Sequence, residues 1–170
     1  MILSKWARWI FPSVVGLLLG ALQTGLFFHL DFMLSSAFET FLLVTLSWLL
    51  GSGIGLFAAS YVHLPLEAFL ALTLAAYFGC VGLVGASPFD SRFWLLYAAL
   101  IMLAGLYPGV FFARMTPRYP ASVLLFRENN GFILGLAGTT LLYILFGRSA
   151  LWLLPLVLAL SVLLLNRAHQ

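Results

Sequence analysis

The stretch RENNGFILGLAGTTLLYILF, Arg127 to Phe146, decides what kind of fold this chain can adopt. Its twenty residues rise about 30 Å as a helix, one hydrocarbon thickness of a bilayer. Four polar residues, Arg127, Glu128, Asn129 and Asn130, stand at one end, and no charge follows as far as Phe146. The run is built to cross a membrane, with the quartet at its boundary. The whole composition agrees: 64% of the 170 residues are hydrophobic and 8% are charged, with a mean hydropathy of +1.12. Such a chain lacks the polar residues to coat a soluble core.

Charges, prolines and loop residues divide the chain into six spans, about Phe11–Leu30, Phe38–Val62, Ala68–Ala86, Phe93–Phe112, Ala121–Phe146 and Leu151–Leu165. The expected fold is an all-α membrane bundle in one transmembrane domain. Pro108 and Pro155 fall inside the fourth and sixth spans and should kink them. Both termini are expected in the cytoplasm, because this places Lys5, Arg8, Arg114, Arg118, Arg127 and Arg167 inside and only Arg92 and Arg148 outside. Trp6, Trp9, Trp94 and Trp152 fall near span ends, where indoles favour the headgroup region; Trp48, deep in the second span, is expected to pack. The basic start, MILSKWARWIF, runs on without a small-residue cleavage site, so the first span is read as retained. The single Cys80 has no partner thiol in the chain and reads as a packing residue.

Small residues recur at helical spacing. Gly16, Gly20 and Thr24 line the first span; Ser47, Gly51, Gly55 and Ala59 the second; Ala75, Gly79, Gly82 and Ala86 the third. Such rows let helix backbones approach closely in lipid. The GSGIG at Gly51–Gly55 belongs to this packing class and not to nucleotide loops, since no strand precedes it.

On a helical wheel with Arg127 at zero, Gly138 falls near ~20°, Gly131 near ~40°, Gly135 near ~80° and Glu128 near ~100°. Arg127 and Glu128 thus cap the face that carries Gly131, Gly135 and Gly138, while Asn129 and Asn130 flank the opposite side. Two arrangements satisfy this pattern. The quartet forms a polar site between helices, or Arg127 snorkels to phosphates with Glu128 beside it in the interface.

Other chemistry is sparse. His29, Asp31 and Glu39 gather at the outer ends of the first two spans as a candidate polar patch. His63 lies at the opposite end from His29, so one haem cannot join them; His169 is in the tail. Gln23 and Thr24 read as interhelical hydrogen-bonding groups. No acid pair, nucleophile–base pair or metal-ligand cluster converges, so no catalytic residue, metal or cofactor is expected.

Three stretches carry a likeness. SAFETFLLVTLSWLLGSGIGLFAAS resembles the glycine-rich second helix of the membrane region of spermidine-synthase-like transmembrane proteins. LAGLYPGVFFARM is similar to that region's Gly-and-Pro helix ending in a basic residue, and RENNGFILGLAGTTLLYILFG resembles the helix that follows. The likeness runs from Gly16 to Gly147 and implies that Glu128 or Asn129 is the intramembrane polar position. The sequence carries no aminopropyl-transferring domain, so synthase activity is not implied. What is implied is a stand-alone bundle related to half-units of larger transporters.

The functional expectation is a non-catalytic subunit of a bacterial inner-membrane complex, set in respiratory or envelope electron transfer. Its partners are then the lipid bilayer and other membrane subunits or further copies of itself, and not nucleic acid. The alternative is a homodimeric transporter for a small solute or cation, with Arg127, Glu128 or the broken fourth helix lining the path.

Overall fold

A computed structural model describes the backbone of residues 2–34 and 37–169, and the side-chain surroundings of these except for 2–8, Ala37, Ser91 and His169. Lys5, Trp6, Arg8 and His169 therefore lie outside the described side chains. The elements are α1 (Ile2–Leu34), α2 (Ala37–Ala58), α3 (Leu66–Ala86), a 3-10 turn at Ser91–Phe93, α4 (Trp94–Ala104), α5 (Leu106–Met115), α6 (Ala121–Phe146) and α7 (Arg148–His169). Six stretches are long and apolar enough to cross a membrane: Trp9–Leu34, Phe38–Ala58, Leu66–Ala86, Trp94–Met115, Ala121–Phe146 and Arg148–Ala168. The fourth is α4 and α5 taken together.

Prolines and one glycine set the boundaries. Pro65 and Pro120 have extended backbones, with ψ of 156° and 133°, and each helix begins at the next residue. The ring bars the residue before it from helical geometry, so α3 starts at Leu66, ahead of the expected Ala68. Gly147 has φ of 63°, a conformation open chiefly to glycine. It lets α7 begin at Arg148, three residues before the expected Leu151. Helix α2 ends at Ala58 and not at Val62, because the chain turns there and then extends toward Pro65.

The chain divides into two compact units, residues 1–24 with 119–170 and residues 25–118. In the first, the amino-terminal part of α1 crosses α6 through four glycines. A methyl group on Gly16 would come within 3.0 Å of the Glu128 carbonyl oxygen, and one on Gly20 would do the same at Phe132. Reciprocally, Gly131 abuts the Ser13 carbonyl and Gly135 that of Leu17. The paired numbers rise together, so the two helices run parallel. Backbone lies on backbone, the arrangement that a Gly-x-x-x-Gly pair permits in lipid. Helix α7 packs back on α6 with a buried row of Leu151, Pro155, Ala159, Val162 and Asn166. Pro155 sits inside this helix without interrupting it.

The second unit repeats the device. Gly51 and Gly55 of α2 abut the carbonyls of Met102 and Leu106, while Gly105 and Gly109 abut those of Trp48 and Ser52. Again the numbers rise together and the helices are parallel. Pro108 kinks the fourth span, and the break falls at Gly105, one turn upstream. Proline has no N–H for the carbonyl four residues back, and its ring clashes there. That carbonyl is Ala104, and the hydroxyl of Thr73 on α3 donates to it at 3.0 Å. A buried threonine thus satisfies the acceptor that the proline orphans. Arg114 closes the other end of the unit. Its guanidinium donates to the carbonyls of Val62, at 2.9 Å, and Leu64, and lies 5.4 Å from the Phe69 ring centre.

Two packing expectations are corrected. Gly138 does not pack: a methyl group there would meet nothing within 4 Å. The buried face of α6 is Leu124, Glu128, Gly131, Gly135 and Thr139, which centres near ~80° on the wheel. Gly138, at ~20°, falls off its edge and Thr139 takes the place. The third row also faces outward, with Ala75, Gly79, Gly82 and Ala86 all exposed. Helix α3 turns Thr73, Tyr77 and Cys80 inward instead, since these larger groups fill the space against α4 and α5. Trp48 is buried, at 5% exposure, and packs as expected.

Candidate functional site

The polar quartet begins at the seventh residue of α6, and its four side chains diverge as the helical period demands. Asn129 and Asn130 are exposed, and the Asn130 amide donates to the Phe126 carbonyl of its own helix at 2.8 Å. Arg127 reaches across to α1. Its Nη1 donates to the Trp9 carbonyl at 3.1 Å, and its guanidinium carbon lies 4.6 Å from the centre of the Trp9 ring. A planar, weakly hydrated guanidinium suits such stacking. Arg127 is therefore a clamp between the starts of α1 and α6.

Glu128 points into the crossing itself and is only 6% exposed. Its backbone carbonyl is the one that Gly16 abuts, and Gly131 follows it by one turn. Among the described residues no hydrogen bond or ion pair reaches its carboxylate. As the eighth residue of α6, Glu128 is also beyond the first turn, where the helix dipole favours anions. Glu128 and Arg127 both lie between helices, as in the first of the two sequence alternatives, Arg127 through its contacts to Trp9 of α1.

One buried polar residue at this level was not legible as part of the site. Asn166 is 5% exposed on the inner row of α7. Glu128 precedes Gly147 by nineteen residues (147 − 128) and Asn166 follows it by nineteen (166 − 147), so the antiparallel helices bring both to the same depth. The equal spacing about the turn glycine was the available signal. At that depth α7 is also ending, and its last carbonyls present the negative end of the helix dipole.

In the other unit, the residues of the proposed outer patch occupy different environments. His29 is 6% exposed and its ring meets that of Tyr77 edge-on at 6.4 Å. Tyr77 reaches α1 because Gly25 leaves room for its hydroxyl. Asp31 is half-buried and Glu39 is exposed. In the loop before α4, Asp90 accepts from the Arg92 side chain and backbone at 3.0 Å. Those hydrogen bonds, the side-chain ones first, hold its carboxyl below the usual aspartate range and raise the Arg92 guanidinium in turn. Among the described residues no three His, Cys, Asp or Glu side chains gather as a metal site. An apolar groove of about 310 Å³ between α6 and α7 has Ser149 as its sole polar lining residue.

No protein family, characterised protein or solved structure matches this chain. Fold and site define a multi-pass α-helical membrane protein. Two of its helix crossings are built on paired glycines, and among the described residues Glu128 is a buried carboxyl.

Proposed function

We propose that the chain is a non-catalytic subunit that anchors or assembles a larger membrane complex, with both termini on the cytoplasmic side of a bacterial inner membrane. One observation carries this: the outward face of α3 carries Ala71, Ala75, Gly79, Gly82, Gly85 and Ala86, with Leu72 as its one large exposed residue. A face of small residues gives a lipid chain little to grip, whereas it lets another helix approach to backbone contact. The same chain uses small-residue rows at its α1–α6 and α2–α5 crossings, and within the described residues of its own unit an added methyl group at Gly82 or Gly85 meets nothing within 4 Å. The occupant it suits is a helix of another chain.

The test exploits the open space at Gly82, where an added methyl group meets nothing within 4 Å. Gly82→Leu should leave the isolated chain folded by circular dichroism and thermal melting, yet remove the partner in native mass spectrometry from bilayer discs. A wild-type chain that stays a monomer in native membranes, or a Gly82→Leu chain that keeps the whole assembly, contradicts the proposal.

The transporter alternative is favoured by the burial of Glu128, since carriers keep such groups despite their cost. Saturable uptake of a small solute or cation into liposomes holding only this chain, lost in Glu128→Gln, would promote it.

A further inference from the structure

Among the described residues, the Glu128 carboxylate lacks the means of compensation by which proteins keep a buried charge. Arg127, its neighbour in sequence, is committed to the Trp9 carbonyl and ring. The start of α6 lies more than a turn away. The end of α7, at the same depth, carries the negative end of a helix dipole, which disfavours an anion and favours a cation. Arg167 is exposed on α7, and Lys5 and Arg8 of α1 lie outside the described side chains. An ionised carboxylate left without a partner in such a place costs several kcal/mol. A small cation relieves that cost at once.

We propose that Glu128, buried at the α1–α6 crossing, is a binding site for one small monovalent cation, either a proton or an alkali-metal ion. The proposal does not depend on whether the chain serves as a subunit or a carrier. Because Glu128 is wedged between two backbones in contact, its occupancy is coupled to the closeness of α1 and α6. Loss of the cation leaves a charge in the crossing that parting of the helices would hydrate further.

The experiment is thermal unfolding of the full chain in bilayer discs, for wild type, Glu128→Gln, Lys5→Met and Arg8→Met. One series varies pH at fixed salt, and another exchanges sodium for choline at fixed pH. Above the midpoint of such a site, each tenfold change in cation alters stability by a tenfold equilibrium factor. That amounts to about 3–5 °C in Tm for a chain of this size. The expected result is that wild type shows this slope and Glu128→Gln, a neutral isostere, does not. A slope on pH alone identifies the ligand as a proton, and a slope on sodium against choline identifies an alkali-metal ion. The remaining carboxylates titrate equally in both proteins, so the difference between the two curves isolates Glu128. Parallel curves for wild type and Glu128→Gln in both series overturn the proposal. So does loss of the difference in Lys5→Met or Arg8→Met, which would show that the chain's own cation fills the site.

Discussion

Two alanine substitutions on one helix, Gly131→Ala and Gly138→Ala, separate a packed face from an open one. Both add one methyl group to α6, and both gain about 1 kcal/mol of helix propensity over glycine. They differ only in what the methyl meets. At Gly131 it comes within 3.0 Å of the Ser13 carbonyl oxygen and near the Leu17 nitrogen, while at Gly138 nothing lies within 4 Å. The neighbour at Gly131 is backbone, so no side-chain rotation relieves the overlap and the two helices must part. Overpacking costs about 1–3 kcal/mol, and an unyielding backbone puts Gly131→Ala at the upper end. Propensity cancels between the two variants, leaving a gap of about 3 kcal/mol. For a chain of this size that is roughly 6–12 °C in Tm, with Gly138→Ala at or above wild type. Differential scanning fluorimetry in one detergent reads both. Equal Tm values, or a larger loss at Gly138, would refute the parallel α1–α6 glycine crossing.

The second crossing makes the same demand in the other unit: Gly109→Ala should destabilise strongly and Gly53→Ala should not, since Gly109 abuts the Ser52 carbonyl and Gly53 faces open space. A double-mutant cycle on Arg127→Ala and Trp9→Leu should return a coupling of about 0.5–2 kcal/mol for the stacked pair; strict additivity would remove the clamp. Replacing Arg114 by Ala should speed amide exchange around residues 62–64, whose carbonyls it holds, and leave α6 unchanged. By NMR, Asp90 should titrate below the ordinary aspartate range, and Arg92→Ala should return it there. The sign follows: a depressed carboxyl adds stability above its unfolded value, and this is lost as pH falls through its folded one.

Much of this architecture is legible in the sequence because lipid imposes one dominant rule. Backbone groups in hydrocarbon must be bonded internally, so long apolar runs between prolines and charges can only be helices. The six spans follow from that alone. Helix ends are less legible, as α2 shows: its exit depends on Arg114, some fifty residues further along the chain, capping the carbonyls of Val62 and Leu64. The glycine rows announce close packing without naming the partner. Gly16 and Gly20 find Gly131 and Gly135, and Gly51 and Gly55 find Gly105 and Gly109, whereas at Gly82 and Gly85 of the α3 row no described residue lies within 4 Å of an added methyl group. A few tens of degrees on a wheel also decide membership, which is why Gly138 yields to Thr139. The site was half visible. The quartet marked the place, but that Arg127 would turn to Trp9 and not to Glu128 depends on side-chain directions that spacing does not encode.

The subunit assignment stands or falls on what covers α3. In a Cys80→Ser, Gly82→Cys double variant, a short bismaleimide added to native membranes reports the neighbour of that face directly. The expected result is a covalent product of one defined mass, heavier than the 18.7 kDa chain, that disappears when Gly79 is changed to Leu. Complete labelling of the introduced thiol by a lipid-soluble maleimide, with no crosslinked product, would mean that lipid alone covers α3 and would contradict the assignment.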